Sequence, residues 1–253
     1  MTTITRLDCG RLTDDLAMFE SGAEGSVILP VNAWLLRHAK GTVLFDTGMP
    51  TSFIGGSERT RRIEAFLAID FDVDDRVDRQ LEIRDQDPGR VDFVVVSHLH
   101  FDHVGGLATI PNAELVIQRR EWEAGLAAAE GDTLHPSEDF DLGHPLMLID
   151  GEHDLFGDGA VVCVPTPGHT AGHQSLKVRL ADGRDVVFTA DCCYFARTLD
   201  SGVLPTFGHD LEQQGRSLAH LRRLRDAGAT IVPGHDIDWI NRRPRTFGAG
   251  EGN

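Results

Sequence analysis

Three histidines and an aspartate lie within seven residues in the first half of the chain, in the string SHLHFDH at 97–103. The string directly follows a mostly apolar run at 91–96, which predicts a buried strand. In α/β proteins the binding and catalytic residues usually lie on loops that follow the C-terminal ends of such strands. Imidazole and carboxylate groups together, without cysteine, favour zinc or a similar divalent cation. The loop is therefore predicted to supply ligands to two adjacent metal positions.

Later strand ends carry the same residue types. His169 follows a predicted strand at 160–164. Asp191 ends a strand that begins at Asp185, and His235 follows a short apolar run. Glycine and proline beside the two histidines force a turn at each position. One histidine after a Pro-Gly pair is more often a turn residue than a ligand, but ligand types at four strand ends together predict a shared metal site.

With the early sequence FDTG at 45–48, these motifs resemble the metallo-β-lactamase-fold hydrolases over about 29–236. Within that superfamily the chain is most similar to the N-acyl homoserine lactone lactonases, the quorum-quenching enzymes. Three details carry this narrower resemblance: LPV at 29–31 leading into LFDTGMP at 44–50, Phe101 inside the metal loop, and a tyrosine three residues after Asp191. The resemblance implies an α/β fold, the αββα sandwich of two mixed β-sheets face to face flanked by helices. We expect one such domain over 1–253.

The resemblance also implies a dinuclear metal site. Its ligands would be His98, His100 and His169 for one ion, Asp102, His103 and His235 for the other, and Asp191 as a bridge between the two. Ions in such a pair lie roughly 3.5–4 Å apart and share a hydroxide that forms near neutral pH and serves as the nucleophile. Zn²⁺ is the expected metal, and cobalt, iron or manganese can occupy such ligands depending on supply.

Three further side chains have roles under the same resemblance. Tyr194 would donate a hydrogen bond to the oxyanion that develops during acyl transfer; the alternative is an ordinary half-buried aromatic residue. Asp102 would also move a proton from the attacking hydroxide to the leaving alkoxide. Asp46 would orient the metal-bound imidazoles from behind, or it only forms a turn.

The resemblance predicts hydrolytic opening of the lactone ring of N-acyl homoserine lactones. The alternatives are a lactonase or esterase of the same fold acting on γ-butyrolactone, pyridoxolactone or an aryl ester, and a glyoxalase II-like thioesterase. Phe101, Phe66 and Phe71 are the candidate residues of an acyl pocket. In related lactonases the region corresponding to 53–71 covers the site and contributes to a homodimer, so both tasks are expectations here; peripheral packing of this stretch is the alternative.

Composition excludes some partners. The formal net charge is −16, from 40 acidic and 24 basic residues, which disfavours nucleic acid because its binding requires basic patches. A small neutral lactone meets no such repulsion. The first residues lack the pattern of a secretory signal, and no apolar run is long enough to cross a bilayer. We therefore expect a cytoplasmic protein that does not bind membranes, with four reduced cysteines that serve as small buried residues.

The sequence also predicts one long helix and the locations of the remaining histidines. Leucines at helical spacing predict a helix over 211–227, stopped by Gly228. His173 is expected to support the loop around His169 without binding metal. The other histidines, scattered among polar residues, are expected at the surface: His38, His135, His144, His153, His209 and His220.

Overall fold

A computed structural model describes residues 2–128, 132 and 134–248. The predicted span 1–253 also includes 1, 129–131, 133 and 249–253, which lie outside the described residues. The strands of the described part are β1 (Thr3–Asp15), β2 (Ser26–His38), β3 (Gly41–Phe45), β4 (Ala68–Asp70), β5 (Phe93–Val95), β6 (Glu114–Gln118), β7 (Leu146–Ile149), β8 (His153–Asp154), β9 (Val161–Pro165), β10 (Gln174–Arg179), β11 (Asp185–Phe188), β12 (Thr230–Val232) and β13 (Thr246–Phe247).

Short helices connect most of these strands. The α-helices of the described part are α1 (Leu16–Phe19), α2 (Glu58–Ile63), α3 (Val77–Glu82), α4 (Phe101–Val104), α5 (Arg119–Leu126), α6 (Ser137–Phe140), α7 (Thr198–Ser201), α8 (Leu211–Asp226) and α9 (Ile237–Asn241). The predicted helix at 211–227 is confirmed as α8. Asp210 caps it by accepting from the backbone N–H of Gln213, and Gly228 follows it with φ +104°.

The strands form two mixed sheets. In the first, the order is β13-β1-β2-β3-β5-β6-β7, with β4 paired to β1. Its β3, β5, β6 and β7 run parallel, so the chain leaves all four at the same edge. In the second sheet the order is β12-β11-β10-β9-β8, and β11 and β12 are its parallel pair.

Successive side chains of a strand point to opposite faces of its sheet, so each sheet contributes to the hydrophobic core on both faces. The result is three hydrophobic clusters between the layers of helices and sheets. On β2, Trp34 and Leu36 pack in the layer shared with the second sheet. Leu35, between them, packs with residues of α3 and α5 on the outer face. A third cluster joins the outer face of β11 and β12 to α8. Helices thus flank two facing sheets, as predicted.

Burial of the cysteines agrees with the sequence interpretation. All four cysteines are buried and none forms a disulfide. Among the described residues, no helix combines the length and the apolar character needed to cross a membrane.

The loop that follows β5 packs tightly under the segment that follows β3. A Cβ atom on Gly105 would lie 2.2 Å from the backbone nitrogen of Pro50 and 2.5 Å from the carbonyl oxygen of Phe101. These are backbone atoms and cannot rotate away. Glycine at this position therefore allows α4, which carries three residues of the SHLHFDH string, to lie against 46–50.

Gly105→Ala is expected to lower the free energy of unfolding by about 1–3 kcal/mol, because the added methyl group overpacks a buried contact. Gly215→Ala is the matched control. Gly215 lies within α8, where the added Cβ atom would meet only Leu204 at 3.7 Å. Alanine in a helix interior is expected to stabilise the protein by about 0.5–1 kcal/mol. Urea unfolding with chelator present measures both changes; equal shifts in the two variants would contradict the close-packing argument.

Candidate metal centre

The candidate ligands lie on loops that leave β5, β9, β11 and β12. Because β11 and β12 are parallel neighbours, Asp191 and His235 emerge side by side. His169 lies on the loop between β9 and β10. The backbone N–H of Gln174 donates to the carbonyl oxygen of Ser97 at 2.9 Å, which joins the loop regions of the two sheets. The site is therefore built where both sheets meet.

The first set of imidazoles converges on one point. His100 Nδ1 lies 2.9 Å from His98 Nε2 and 3.0 Å from His169 Nε2. His98 and His169 are almost fully buried. Together with Asp191, one ligand atom from each of these residues lies within 4.8 Å of the others.

A second set lies on the other side of Asp191. One ligand atom from each of Asp102, His103 and His235 lies within 4.8 Å of the others, and all three residues are buried. Asp102 Oδ2 is 3.5 Å from His103 Nε2 and 4.0 Å from His235 Nε2.

The carboxylate of Asp191 lies between the two sets. Its Oδ1 is 2.9 Å from His235 Nε2 and 3.1 Å from His103 Nε2. Its Oδ2 is 3.3 Å from His169 Nε2 and 3.9 Å from His98 Nε2. One oxygen thus faces each set, which is the arrangement that a bridging carboxylate requires.

Oxygen acceptors fix the outer nitrogens of two rings. His103 Nδ1 lies 2.8 Å from Asp46 Oδ2, and His235 Nδ1 lies 3.0 Å from the carbonyl oxygen of Pro30. A carbonyl oxygen can only accept, and so can a carboxylate in its ionised form. Nδ1 therefore carries a hydrogen in both rings, and Nε2 is the nitrogen that faces the cluster.

Asp46 also holds the start of the metal loop. Its Oδ1 accepts from the backbone N–H of Ser97 and its Oδ2 from the Ser97 hydroxyl, both at 2.8 Å. Ser97 Oγ is in turn 3.0 Å from His98 Nδ1. Asp46 adopts φ +61°, a left-handed conformation that is uncommon outside glycine. The structure thus places Asp46 directly behind His98 and His103.

Burial keeps the first set of imidazoles neutral. Burial, reinforced by neighbouring imidazoles, holds the pKa of His98 and His100 well below the usual value. Burial lowers the pKa of His169 to about 4. Neutral imidazole is the form that binds a metal ion.

Carboxylates have the opposite effect on the second set. Burial acts to lower the pKa of His103, but Asp102 and Asp191 outweigh it and hold that pKa well above the usual value. The pKa of His235 is raised because Asp191 outweighs burial there too. Burial acts to raise the pKa of Asp191, but His235 and His103 hold it well below its ordinary range. This part of the cluster therefore attracts positive charge.

The donor set fits a pair of divalent cations. Buried His103 Nε2 makes no hydrogen bond within the described residues, although it points into the cluster. In the first set, His98 Nε2 and His169 Nε2 both lie within 3.0 Å of His100 Nδ1. In the tautomers that carry the hydrogen on the outer nitrogen, the lone pairs of these neutral imidazoles face a common point. Five imidazoles and two carboxylates, with no thiolate, suit zinc and neighbouring first-row ions.

Tyr194 is buried at the edge of the cluster. Its hydroxyl donates to Asp191 Oδ2 at 2.8 Å and lies 3.4 Å from His169 Nδ1. Burial, together with the charge of Asp191, raises its pKa well above the usual value. The phenol therefore stays protonated and remains a hydrogen-bond donor.

A cavity of about 390 Å³ opens beside His100 and His169. In the part of the chain that the structure describes, its lining includes none of the three predicted pocket phenylalanines. Phe101 is buried against Phe53, with ring centroids 5.4 Å apart. Phe66 is 52% exposed in a separate surface hollow, and Phe71 is half-buried against the core. Their assignment to an acyl pocket stays a prediction.

Sequence reasoning missed several residues that line this cavity. The expectation that His135 is an ordinary surface residue is wrong: its ring centroid lies 4.3 Å from that of His100. Of the remaining histidines expected at the surface, only His209 is exposed, and it lines the cavity too. The ring centroid of Phe207 lies 5.9 Å from that of His169, and Glu121 is buried in the wall of the cavity. Glu121 lies three residues beyond β6, in the first turn of α5, where its charged neighbours are typical of a surface helix, so no local signal marked it.

The comparisons with known proteins agree with this geometry. The family model of the metallo-beta-lactamase superfamily matches residues 27–235. The N-acyl homoserine lactonase AttM of Rhizobium radiobacter is 32% identical over 84% of this chain and 84% of its own length. The N-acyl homoserine lactonase AiiA of Bacillus thuringiensis subsp. kurstaki is 30% identical over 83% of this chain and 82% of its own.

A solved structure shows the same sandwich. It is that of an N-acyl homoserine lactone hydrolase with the product N-hexanoyl-L-homoserine bound at its catalytic metal centre. The TM-score is 0.83 at 28% identity, over 96% of each chain, which confirms the predicted fold. The chain therefore belongs to the metallo-β-lactamase superfamily, as a hydrolase related to the N-acyl homoserine lactonases.

Proposed function

We propose that this protein is a dinuclear metal-dependent hydrolase that opens the lactone ring of N-acyl homoserine lactones. The observation that carries the proposal is the carboxylate of Asp191 between two sets of buried ligand atoms, next to an open cavity. The relationship to N-acyl homoserine lactonases over more than four-fifths of the chain supports the choice of substrate.

In this proposal the seven clustered residues are the metal ligands. His98, His100 and His169 hold one ion, Asp102, His103 and His235 hold the other, and Asp191 is shared. Zn²⁺ is the proposed ion, and cobalt, iron or manganese would be accepted by the same donors. When bound, the two cations supply Lewis acidity and lower the pKa of a water molecule enough to make it a nucleophile near neutral pH.

Tyr194 acts on the carbonyl oxygen of the substrate. Its protonated hydroxyl is already at the inner edge of the cluster, 2.8 Å from Asp191 Oδ2. Rotation toward the carbonyl would place one donor where negative charge develops, and such donors act most strongly in a site from which water is excluded.

Asp102 carries the proton in the same reaction. Its carboxylate belongs to the second set of ligand atoms, 3.5 Å from His103 Nε2 and 4.0 Å from His235 Nε2. A carboxylate there can accept the proton of the attacking water and return it to the ring oxygen that leaves. The product is a carboxylate with a free hydroxyl group.

The cavity suits a neutral substrate with an apolar tail. Its apolar lining comprises Ala124, Ala128, Leu134, Ala171 and Phe207. A lactone ring placed at the ligands would direct its acyl chain along this wall, where burial of each methylene contributes about 0.8 kcal/mol. The formal net charge of −16 does not oppose binding of a neutral molecule.

Hydrolysis of a substrate panel tests the proposed function. The panel contains short- and long-chain N-acyl homoserine lactones, γ-butyrolactone, pyridoxolactone, an aryl ester and S-lactoylglutathione, followed by pH-stat with metal content determined on the same sample. We expect two ions per chain and fastest opening of the acyl homoserine lactones, with activity lost after chelation. Two ions with faster turnover of another ester, lactone or thioester would reject the proposed substrate and keep the metal site.

Tyr194→Phe is expected to lower kcat by about 100-fold to 1,000-fold, the loss that follows removal of one oxyanion donor. Metal content should stay at the wild-type value, because the phenol is not a proposed ligand. Tyr194 is the only tyrosine in the chain, so absorbance titration of the wild-type protein reports its ionisation alone. An unchanged kcat would remove Tyr194 from the mechanism.

Asp191→Asn is expected to deplete bound metal to fewer than two ions per chain, since an amide replaces the one group that both sets share. Asp236→Asn is the control, because Asp236 is also buried and adjoins His235 but caps α9 instead of facing the cluster. Elemental analysis after dialysis measures both. A full complement of two ions in Asp191→Asn would contradict the bridging assignment.

A further inference from the structure

We propose that Glu121 is a positioning residue that sets the spacing of His98, His100 and His169. The proposal rests on the metal site of the proposed function and assigns a role to a side chain that lies outside the ligand set. Glu121 belongs to the first turn of α5 and is 2% exposed.

The carboxylate of Glu121 joins two loops. Its Oε1 accepts from the backbone N–H of Leu99 at 3.1 Å. Its Oε2 accepts from the Thr170 hydroxyl at 2.8 Å and from the backbone N–H of Gly172 at 2.7 Å. Each oxygen therefore holds a different loop, and the two loops follow strands of different sheets.

The three hydrogen-bond donors are neighbours of the first set of imidazoles. Leu99 is the residue between His98 and His100, and Thr170 directly follows His169. Hydrogen bonds to the backbone of Leu99 and to the side chain of Thr170 restrain these imidazoles, although they do not involve the imidazole nitrogens. Groups that orient metal ligands in this way affect affinity even though they do not bind the ion.

The backbone of α5 holds the carboxylate in place. A Cβ atom on Gly172 would lie 2.3 Å from the backbone nitrogen of Glu121 and 2.8 Å from its Cα. The loop at 170–172 and the start of α5 are therefore in direct backbone contact, and only glycine allows this approach.

A buried acid at this position has a cost for stability. Burial raises the pKa of Glu121, outweighing its three hydrogen bonds. Among the described residues, no lysine or arginine forms an ion pair with it. A buried charge without a cationic partner is expensive for the fold. A cation held at the neighbouring imidazoles would be attracted by the same carboxylate and would offset part of this cost.

The test compares Glu121→Gln with Glu123→Gln. Glu123 is exposed on the same helix, so its variant removes the same charge without touching either loop. An amide cannot accept at both ends, so Glu121→Gln loses the bond from the backbone N–H of either Leu99 or Gly172. We expect the affinity for one of the two metal ions to fall about 10-fold to 100-fold, and Glu123→Gln to match the wild type.

Two readouts separate positioning from general stability. Competition with a chromophoric chelator gives the metal affinities, and the visible absorption of the cobalt-substituted protein reports the ligand geometry. The thermal midpoint of the metal-free protein is measured in parallel. A lower midpoint with unchanged metal affinities and an unchanged cobalt spectrum would overturn the proposal and leave Glu121 as a structural residue only.

A second pair of variants covers the case in which Glu121→Gln does not fold. Thr170→Val removes one donor and keeps the carboxylate, whereas Thr170→Ser keeps the hydroxyl. Weaker metal binding in Thr170→Val with recovery in Thr170→Ser supports the proposal, and equal affinities in both variants overturn it. Failure of the wild-type protein to bind two ions would reject the proposed metal site itself, which is a distinct result.

Discussion

Asp191 is a buried carboxylate with four imidazole nitrogens between 2.9 and 3.9 Å from its two oxygens. A buried charge is stable only if nearby groups compensate for it. His103 and His235, whose pKa values are raised, do so, and their rings in turn need acceptors behind them, namely Asp46 and the carbonyl oxygen of Pro30. The polar centre is thus one connected network, in which each group is held by the next one outward.

The sandwich supplies what this network lacks, namely burial of apolar side chains and a rigid frame. Gln174 links the frame to the network: its backbone N–H donates to Ser97 and its side chain donates to the carbonyl oxygens of Val96 and Val116. One residue of the second sheet therefore donates to three carbonyl groups at the edge of the first. This contact sets the distance between the sheets at the edge where their loops must meet, and the aromatic and aliphatic layer between the sheets maintains it elsewhere.

The parts that could be predicted from the sequence are those with a local signal. Apolar runs followed by histidine or aspartate located the loops after β5, β9, β11 and β12, and leucine spacing located α8 within one residue. Glu121 and His135 could not be placed in the same way, because their roles arise from the packing of distant segments. The start of α5 has the sequence Arg-Arg-Glu-Trp, which is typical of an amphipathic surface helix, and only its contact with the loop at 170–172 buries the acid.

Construction of the centre from both sheets has a consequence for folding. The loop at 97–103 carries four of the seven clustered ligands, but His169, Asp191 and His235 come from segments far from it in the chain, so no single hairpin or helix pair contains the whole network. Partly folded states that preserve one sheet would lack the partner loops and bind a cation weakly. Metal binding would then be thermodynamically linked to the native state alone, and the free metal concentration would act as a control on the folded population.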